Sequence, residues 1–133
     1  MKPSLKKDDI GQMLERLGQA VSSGDLPGIS SCYAFPALFI SDEQTMVLED
    51  TAELEQSFAK GREWYLSQGI VTARAELQSI EELTDLIAAV NVRWPGFDNA
   101  GTEIYSEASH YILQTSDKGP LVRVAISKSK CPT

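Results

Sequence analysis

Residues 86–113 constrain this chain more than any other stretch. Leu86-Ile87-Ala88-Ala89-Val90-Asn91-Val92-Arg93-Trp94 is an apolar, β-branched run. Glu103-Ile104-Tyr105-Ser106-Glu107-Ala108-Ser109-His110-Tyr111-Ile112-Leu113 is a second run of strand type. Between them Pro95, Gly96, Asp98, Asn99 and Gly101 carry the breakers of a loop. Two such runs joined by turn residues predict a long, bent antiparallel hairpin. With helices from the first half of the chain above it, this hairpin becomes the floor of a pocket.

Those helices are legible. Ile10, Met13, Leu14, Leu17, Ala20 and Val21 recur at helical spacing and predict a helix over residues 5–22. Ser22-Ser23-Gly24 ends it, because glycine readily takes the positive φ of a helix C-terminus. Asp25 then caps a short second helix with Pro27 in its first turn, where a missing N–H costs nothing. That helix is expected to carry Ile29, Cys32 and Tyr33 and to stop before Pro36.

Two short strands follow, over residues 37–41 and 45–48, joined by Asp42-Glu43-Gln44. Asp50-Thr51-Ala52-Glu53 has the form of a capping box, Asp50 taking the N3 amide and Glu53 reaching back to the Asp50 amide. The third helix should bury Leu54, Phe58, Gly61, Tyr65 and Leu66 and end near Gln68-Gly69. Strands over residues 71–77 and 121–127 flank the hairpin, with Glu81, Glu82 and Asp85 as a solvated turn. Helices segregated from a mostly antiparallel sheet make an α+β domain. It spans residues 1–133 as one unit, with an ordered core over about 5–127.

Composition removes several function classes. A chain of 133 residues can bury roughly two thirds of its unfolded surface. It has no run of about 18 apolar residues, so no membrane-spanning helix is expected. The net charge of −7 argues against nucleic acid, whose phosphates need a basic face; the one basic cluster is Lys128 with Lys130. Asp8 and Asp9 stand where a secretory leader needs its apolar core, which reads as an unprocessed, cytoplasmic protein. Cys32 and Cys131 lack metal-type spacing and form no framework, although a single bridge between them stays open. One histidine and no HExxH pattern leave no metal site, and no phosphate loop or dinucleotide motif implies a cofactor.

The order of elements, with Ala20-Val21-Ser22-Ser23-Gly24-Asp25-Leu26 leading to Cys32-Tyr33-Ala34, resembles the nuclear transport factor 2-like superfamily. The Trp94 strand and the Ser109-His110-Tyr111 strand complete the likeness, which spans residues 5–127. It implies a cone: a curved, mostly antiparallel, cystatin-like sheet wrapped around the third helix. One end opens into a small-molecule pocket, and the outer sheet face makes a homodimer. The ketosteroid isomerase branch of that superfamily offers a residue-by-residue test. Arg62-Glu63-Trp64-Tyr65 resembles its Arg-Glu-Phe-Tyr, and Ser109-His110-Tyr111 its Asp-His-Phe. The positions of its two oxyanion donors fall on Ser109 and Leu17, and that of its base on Ser41. Isomerisation by those groups is therefore not expected.

The likeness turns Ser109 inward, and strand alternation then turns Tyr105, Glu107, Tyr111 and Leu113 inward with it. Ala88, Val90, Val92 and Trp94 follow on the partner strand, and Val122, Val124 and Ile126 on the last. Hydrophobicity alone gives the same parity, since Asn91, Arg93, Ser106, His110, Arg123 and Ser127 fall on the other face. Glu107 is then the only inward charge of the three main strands: a general base or polar anchor, or a carboxylate solvated or salt-bridged at the rim. Tyr33, Phe39, Trp64, Tyr65, Val90, Trp94, Tyr105, Ser109 and Tyr111 are the candidate ligand-binding residues. His110 belongs outside, and Arg62 to an anion clamp or the surface.

Three functions fit. One is a domain binding a small apolar or amphipathic molecule. Another is a cyclase, isomerase or dehydratase with Glu107 moving a proton and Tyr65, Ser109 or Tyr111 holding an oxyanion. The third is an interaction module using the outer sheet face.

Overall fold

A computed structural model describes residues 5–128. Cys131 and Lys130, and with them the question of a Cys32–Cys131 bridge, lie outside the described residues; Cys32 is a buried free thiol. The elements run α1 (Lys7–Ser23), α2 (Leu26–Ser30), β1 (Tyr33–Ile40), β2 (Thr45–Leu48), α3 (Thr51–Ser67), β3 (Thr72–Ala73), β4 (Glu76–Glu82), β5 (Ile87–Phe97), β6 (Glu103–Ser116) and β7 (Gly119–Lys128). The architecture is the expected α+β: a curved, unclosed, mostly antiparallel sheet with helices laid against it.

Local chemistry places the helix ends. Gly24 adopts φ 73° and donates its N–H to the Ala20 carbonyl, closing α1. The Asp25 side chain accepts from the Gly28 amide at 3.1 Å and opens α2. At α3 the Asp50 carboxylate accepts from the Glu53 amide at 3.0 Å. Glu53 reaches back one residue further than expected, to the Glu49 amide at 2.8 Å. The Glu53 amide, one of the orphan donors of the first turn, is satisfied all the same.

The seven strands run β2-β1-β7-β6-β5-β3, and β4 also pairs with β5. β1 and β7 are parallel, and the other pairs are antiparallel. β5 and β6 form the long hairpin, in register from Ile87 opposite Gln114 to Trp94 opposite Glu107 and on to Phe97 opposite Glu103. Gly101 (φ 80°) and the Asp98 carboxylate, which accepts from the Ala100 and Thr102 amides, shape its tip. The strand expected over 71–77 is two pieces, β3 and β4, both pairing with β5. Glu81 and Glu82 extend β4, so the turn begins only after them.

Three expectations need correction. Tyr33 begins β1, because α2 stops at Ser30 and Tyr33 pairs with Val122 of β7. A bulge in the β6–β7 register, where Leu113 faces Val122 but Ile112 faces Val124, inserts Arg123 and reverses parity beyond it. Val124 therefore falls on the outer face opposite Ile112, and Ala125 and Ser127 turn inward opposite Tyr111 and Ser109; Ile126, although opposite His110, still borders the cavity. Finally, α1 rather than α3 is the core helix. α1 buries Ile10, Met13, Leu14, Leu17, Gly18 and Ala20, whereas α3 buries Leu54 alone and exposes Leu66.

The α1 residues share one buried cluster with Ala88, Val90, Val92, Leu113 and Val122. Leu54 joins it at 0% exposure and anchors α3, which packs against α2 and β2. Truncating that anchor removes transfer energy and leaves a void. Leu54→Ala is expected to cost about 2–5 kcal/mol in urea unfolding. A loss below about 1 kcal/mol, within the range of ordinary surface substitutions, would show that α3 is held by something else.

Candidate functional site

Because α3 is attached chiefly at its N-terminal half, its later turns stand off the sheet and leave a cavity of about 410 Å³. Leu17 and Val21 of α1, Leu26 and Ile29 of α2, and Tyr33 and Phe39 of β1 wall one side. Phe58, Arg62 and Tyr65 come from α3, and Trp94, Tyr105, Glu107, Ser109, Tyr111, Ala125 and Ser127 from the sheet. Ser41, Glu43 and Gln44 of the β1–β2 turn rim it.

Glu107 sits half-buried among aromatic rings. The Tyr65 and Tyr105 hydroxyls both donate to its Oε1, each at 3.1 Å. Among the described residues it forms no ion pair. The carboxylate is thus neither paired with a cation nor left to solvent alone; two phenols hold it in place. Trp64, Tyr65 and Tyr105 pack edge to face, with centroids 5.2, 5.8 and 5.7 Å apart. Such T-shaped contacts fix ring positions better than area burial does.

Beyond Glu107, the Trp94 indole N–H donates to the Tyr111 hydroxyl oxygen at 2.9 Å. A third group, Tyr33 with Phe39 and Phe58, packs at 5.6–6.1 Å between centroids. Burial pushes the Tyr111 phenol up to about 12, against the hydrogen bonds from Ser109 and Trp94, which lower it. Burial, then the charge of Glu107, holds Tyr65 well above the usual phenol range. Tyr33 is raised as well, first by burial and then by Tyr111, Cys32 and Glu107.

Most of the candidate residues meet at this cavity: Tyr33, Phe39, Tyr65, Trp94, Tyr105, Glu107, Ser109 and Tyr111 all line it. Two do not. Val90 is 0% exposed and packed in the core cluster beneath α1, where no hollow remains. Trp64 is 39% exposed and braces Tyr65 and Tyr105 without reaching the cavity. His110 lies on the outer face, its Nδ1 2.6 Å from Asn91 Oδ1. Leu17, Ser41 and Ser109 all line the cavity.

Arg62 has a role the sequence did not signal. Its guanidinium donates to the Val21 and Ser22 carbonyls at 2.9 and 3.1 Å, closing the C-terminus of α1, which has no basic residue in its own last turn. Gly24 makes room for it: a Cβ there would stand 3.0 Å from the guanidinium carbon. Phe58 reaches the cavity four and seven positions from Leu54 and Tyr65, a helical spacing that was legible as buried face but not as cavity wall. Ala125 and Ser127 were missed because of the bulge. Among the described residues, no group of three or more His, Cys, Asp or Glu could hold a metal ion. Among the described residues no helix is long and apolar enough to cross a membrane.

Helices on one face of a curved, open, mostly antiparallel sheet give the cystatin-like arrangement of α+β proteins. Residues 7–130 match the family described as NTF2-like protein (DUF6841), and the chain belongs to that family. Solved structures agree on the fold. An NTF-2 like protein from Shewanella oneidensis MR-1 aligns with TM-score 0.70 at 18% identity, over 90% of this chain and 96% of that one. An NTF2-like protein with a cystatin-like fold from Novosphingobium aromaticivorans gives 0.70 at 13%, over 96% and 83%. A ketosteroid isomerase-like protein from Erwinia carotovora atroseptica gives 0.68 at 13%, over 94% and 96%. No curated protein matches the sequence.

The buried phenols predict an alkaline limit on stability. Tyr111 holds its proton up to about 12, against 10.0 when unexposed to these neighbours, so folding binds that proton more tightly. The contribution is complete below the unfolded value and disappears as pH rises through the folded one. Unfolding free energy is expected to stay level up to about pH 10 and to fall between about pH 10 and 12. Urea melts, read beside the phenolate absorbance, would check it; tyrosines that all titrate together near pH 10 would contradict it.

Proposed function

We propose that this protein binds one small, mostly apolar, amphipathic molecule in the cavity. The observation that carries the proposal is a hollow of about 410 Å³ walled by aromatic and aliphatic side chains, with few polar groups converging on it. Ligand sites of this size and composition use such groups to orient the guest, while apolar burial supplies affinity. Glu107, held by Tyr65 and Tyr105, and the Tyr111 hydroxyl, held by Trp94, are the two polar anchors.

The protein works as a homodimer in the same proposal. Its outer sheet face carries an apolar row, Val47, Leu38, Val124 and Ile112 in successive strands, with Val47 53% exposed. A cytoplasmic home is part of it too, in keeping with the free buried thiol of Cys32. A second reading, an enzyme of the cyclase, isomerase or dehydratase kind, draws on the Trp94 N–H that polarises Tyr111. A phenol that accepts such a bond is a stronger donor toward a developing oxyanion, with Glu107 as general base. An interaction module with a vestigial hollow is less well supported, because the cavity is open and lined.

Gly61 supplies the test. It lines the cavity and a Cβ added there meets nothing within 4 Å. Gly61→Leu should narrow the hollow without strain at Cβ and, by removing a glycine from a helix, leave stability equal or higher. Native mass spectrometry of protein from its own host is expected to show a retained small molecule on the wild type, two subunits, and no guest on the variant. An empty wild type, or a guest that survives in Gly61→Leu, would overturn the binding reading. Glu107→Gln with unchanged turnover of the identified guest would remove the carboxylate as a base.

A further inference from the structure

We infer that the guest is a cation: an amine or quaternary ammonium group on an apolar body, seated against Glu107. This rests on the binding reading above and names the chemistry of that site.

The charges facing the cavity carry the argument. Among the described residues three ionic side chains line it: Glu43 at the exposed rim, Arg62 and Glu107. Arg62 is spent on the Val21 and Ser22 carbonyls, at the negative end of the α1 dipole, and makes no ion pair with Glu107 among the described residues. Glu107 receives both tyrosine hydroxyls on Oε1, leaving Oε2 without a hydrogen-bond partner among the described residues. Oε2 of this half-buried carboxylate is therefore open to a further donor, and a charged donor makes the stronger bond to it. The missing positive charge is then the ligand's.

The walls suit such a charge. Tyr65 and Tyr105 flank the carboxylate, and Trp94 lies directly across the sheet from it, the register partner of Glu107. Ring faces within reach of an ammonium attract it electrostatically, more strongly where water is excluded. A neutral alcohol could accept or donate one hydrogen bond at Oε2 but would leave the charge unmatched. A carboxylate guest would meet Glu107 as a like charge. The protein's net charge of −7 also draws cations toward the mouth, although that field has no preference among sites.

Three probes of one skeleton separate these cases: phenylbutylamine, phenylbutanol and phenylbutyrate, titrated calorimetrically into the full chain at neutral pH. The amine is expected to bind at least about tenfold tighter than the alcohol, with the acid weakest. Glu107→Gln should bring the amine and the alcohol to about the same affinity. Asp117→Asn removes the same charge from an exposed turn and should leave their ratio unchanged. An alcohol that binds as tightly as the amine would overturn the cation inference and leave the binding reading standing. A ratio that falls equally in Asp117→Asn would also overturn it, by assigning the preference to net charge. Binding of none of the three would remove both.

Discussion

The pairing of β5 with β6 is the constraint on which the rest of the molecule depends. It places Val90 opposite Tyr111, Val92 opposite Ser109 and Trp94 opposite Glu107, all on the helix side. Asn91 with His110 and Arg93 with Ala108 are left outside. A slip of one residue would exchange these sets, burying His110 and expelling Glu107 and Tyr111. Burial of Val90, Val92 and Leu113 at 0–2% exposure against α1 prevents that slip. Arg93 reinforces the register by bridging Glu76 of β4 and Glu103 of β6 on the outer face. Exposed ion pairs of this kind add little each, so packing remains the main restraint.

With that register in place, the two long helices divide the labour unequally. α1 lies down on the sheet and buries its apolar stripe from Ile10 to Ala20, which closes one part of the concave face. α3 is anchored by Leu54 and presents Phe58, Arg62 and Tyr65 across a gap. The protein gives up dispersion contacts along that gap, and gains a hollow in which several polar groups are held in place by hydrogen bonds while Glu107 Oε2 stays open. Tyr65 and Tyr105 serve Glu107; Trp94 and Ser109 serve Tyr111. Local rules of packing are relaxed where a site is to be, and kept elsewhere.

Much of this was legible in the residues because it is local. The α1 stripe, the Gly24 stop, the Asp25 and Asp50 caps and the alternation of β6 each depend on neighbours within a few positions. What escaped depends on distant partners. Tyr33 left the second helix because β7 offered it a strand to join. Val124 changed faces, and Ala125 and Ser127 turned inward, because one extra residue, Arg123, was accommodated in β7, and nothing in their own sequence marks a bulge there. Arg62 found its partners on a helix some forty positions away.

For the site, the sequence by itself determined which side chains of the central hairpin turn toward the helices, since alternation along a strand is built into the backbone. It could not say which of those side chains meet another side chain and which meet open space. Val90 and Trp94 share a strand face, yet one is sealed beneath α1 and the other borders the cavity. Only the tertiary structure decided that, because the edge of the hollow lies where α1 ends and α3 stands away, and that position is set by packing between segments far apart in the chain.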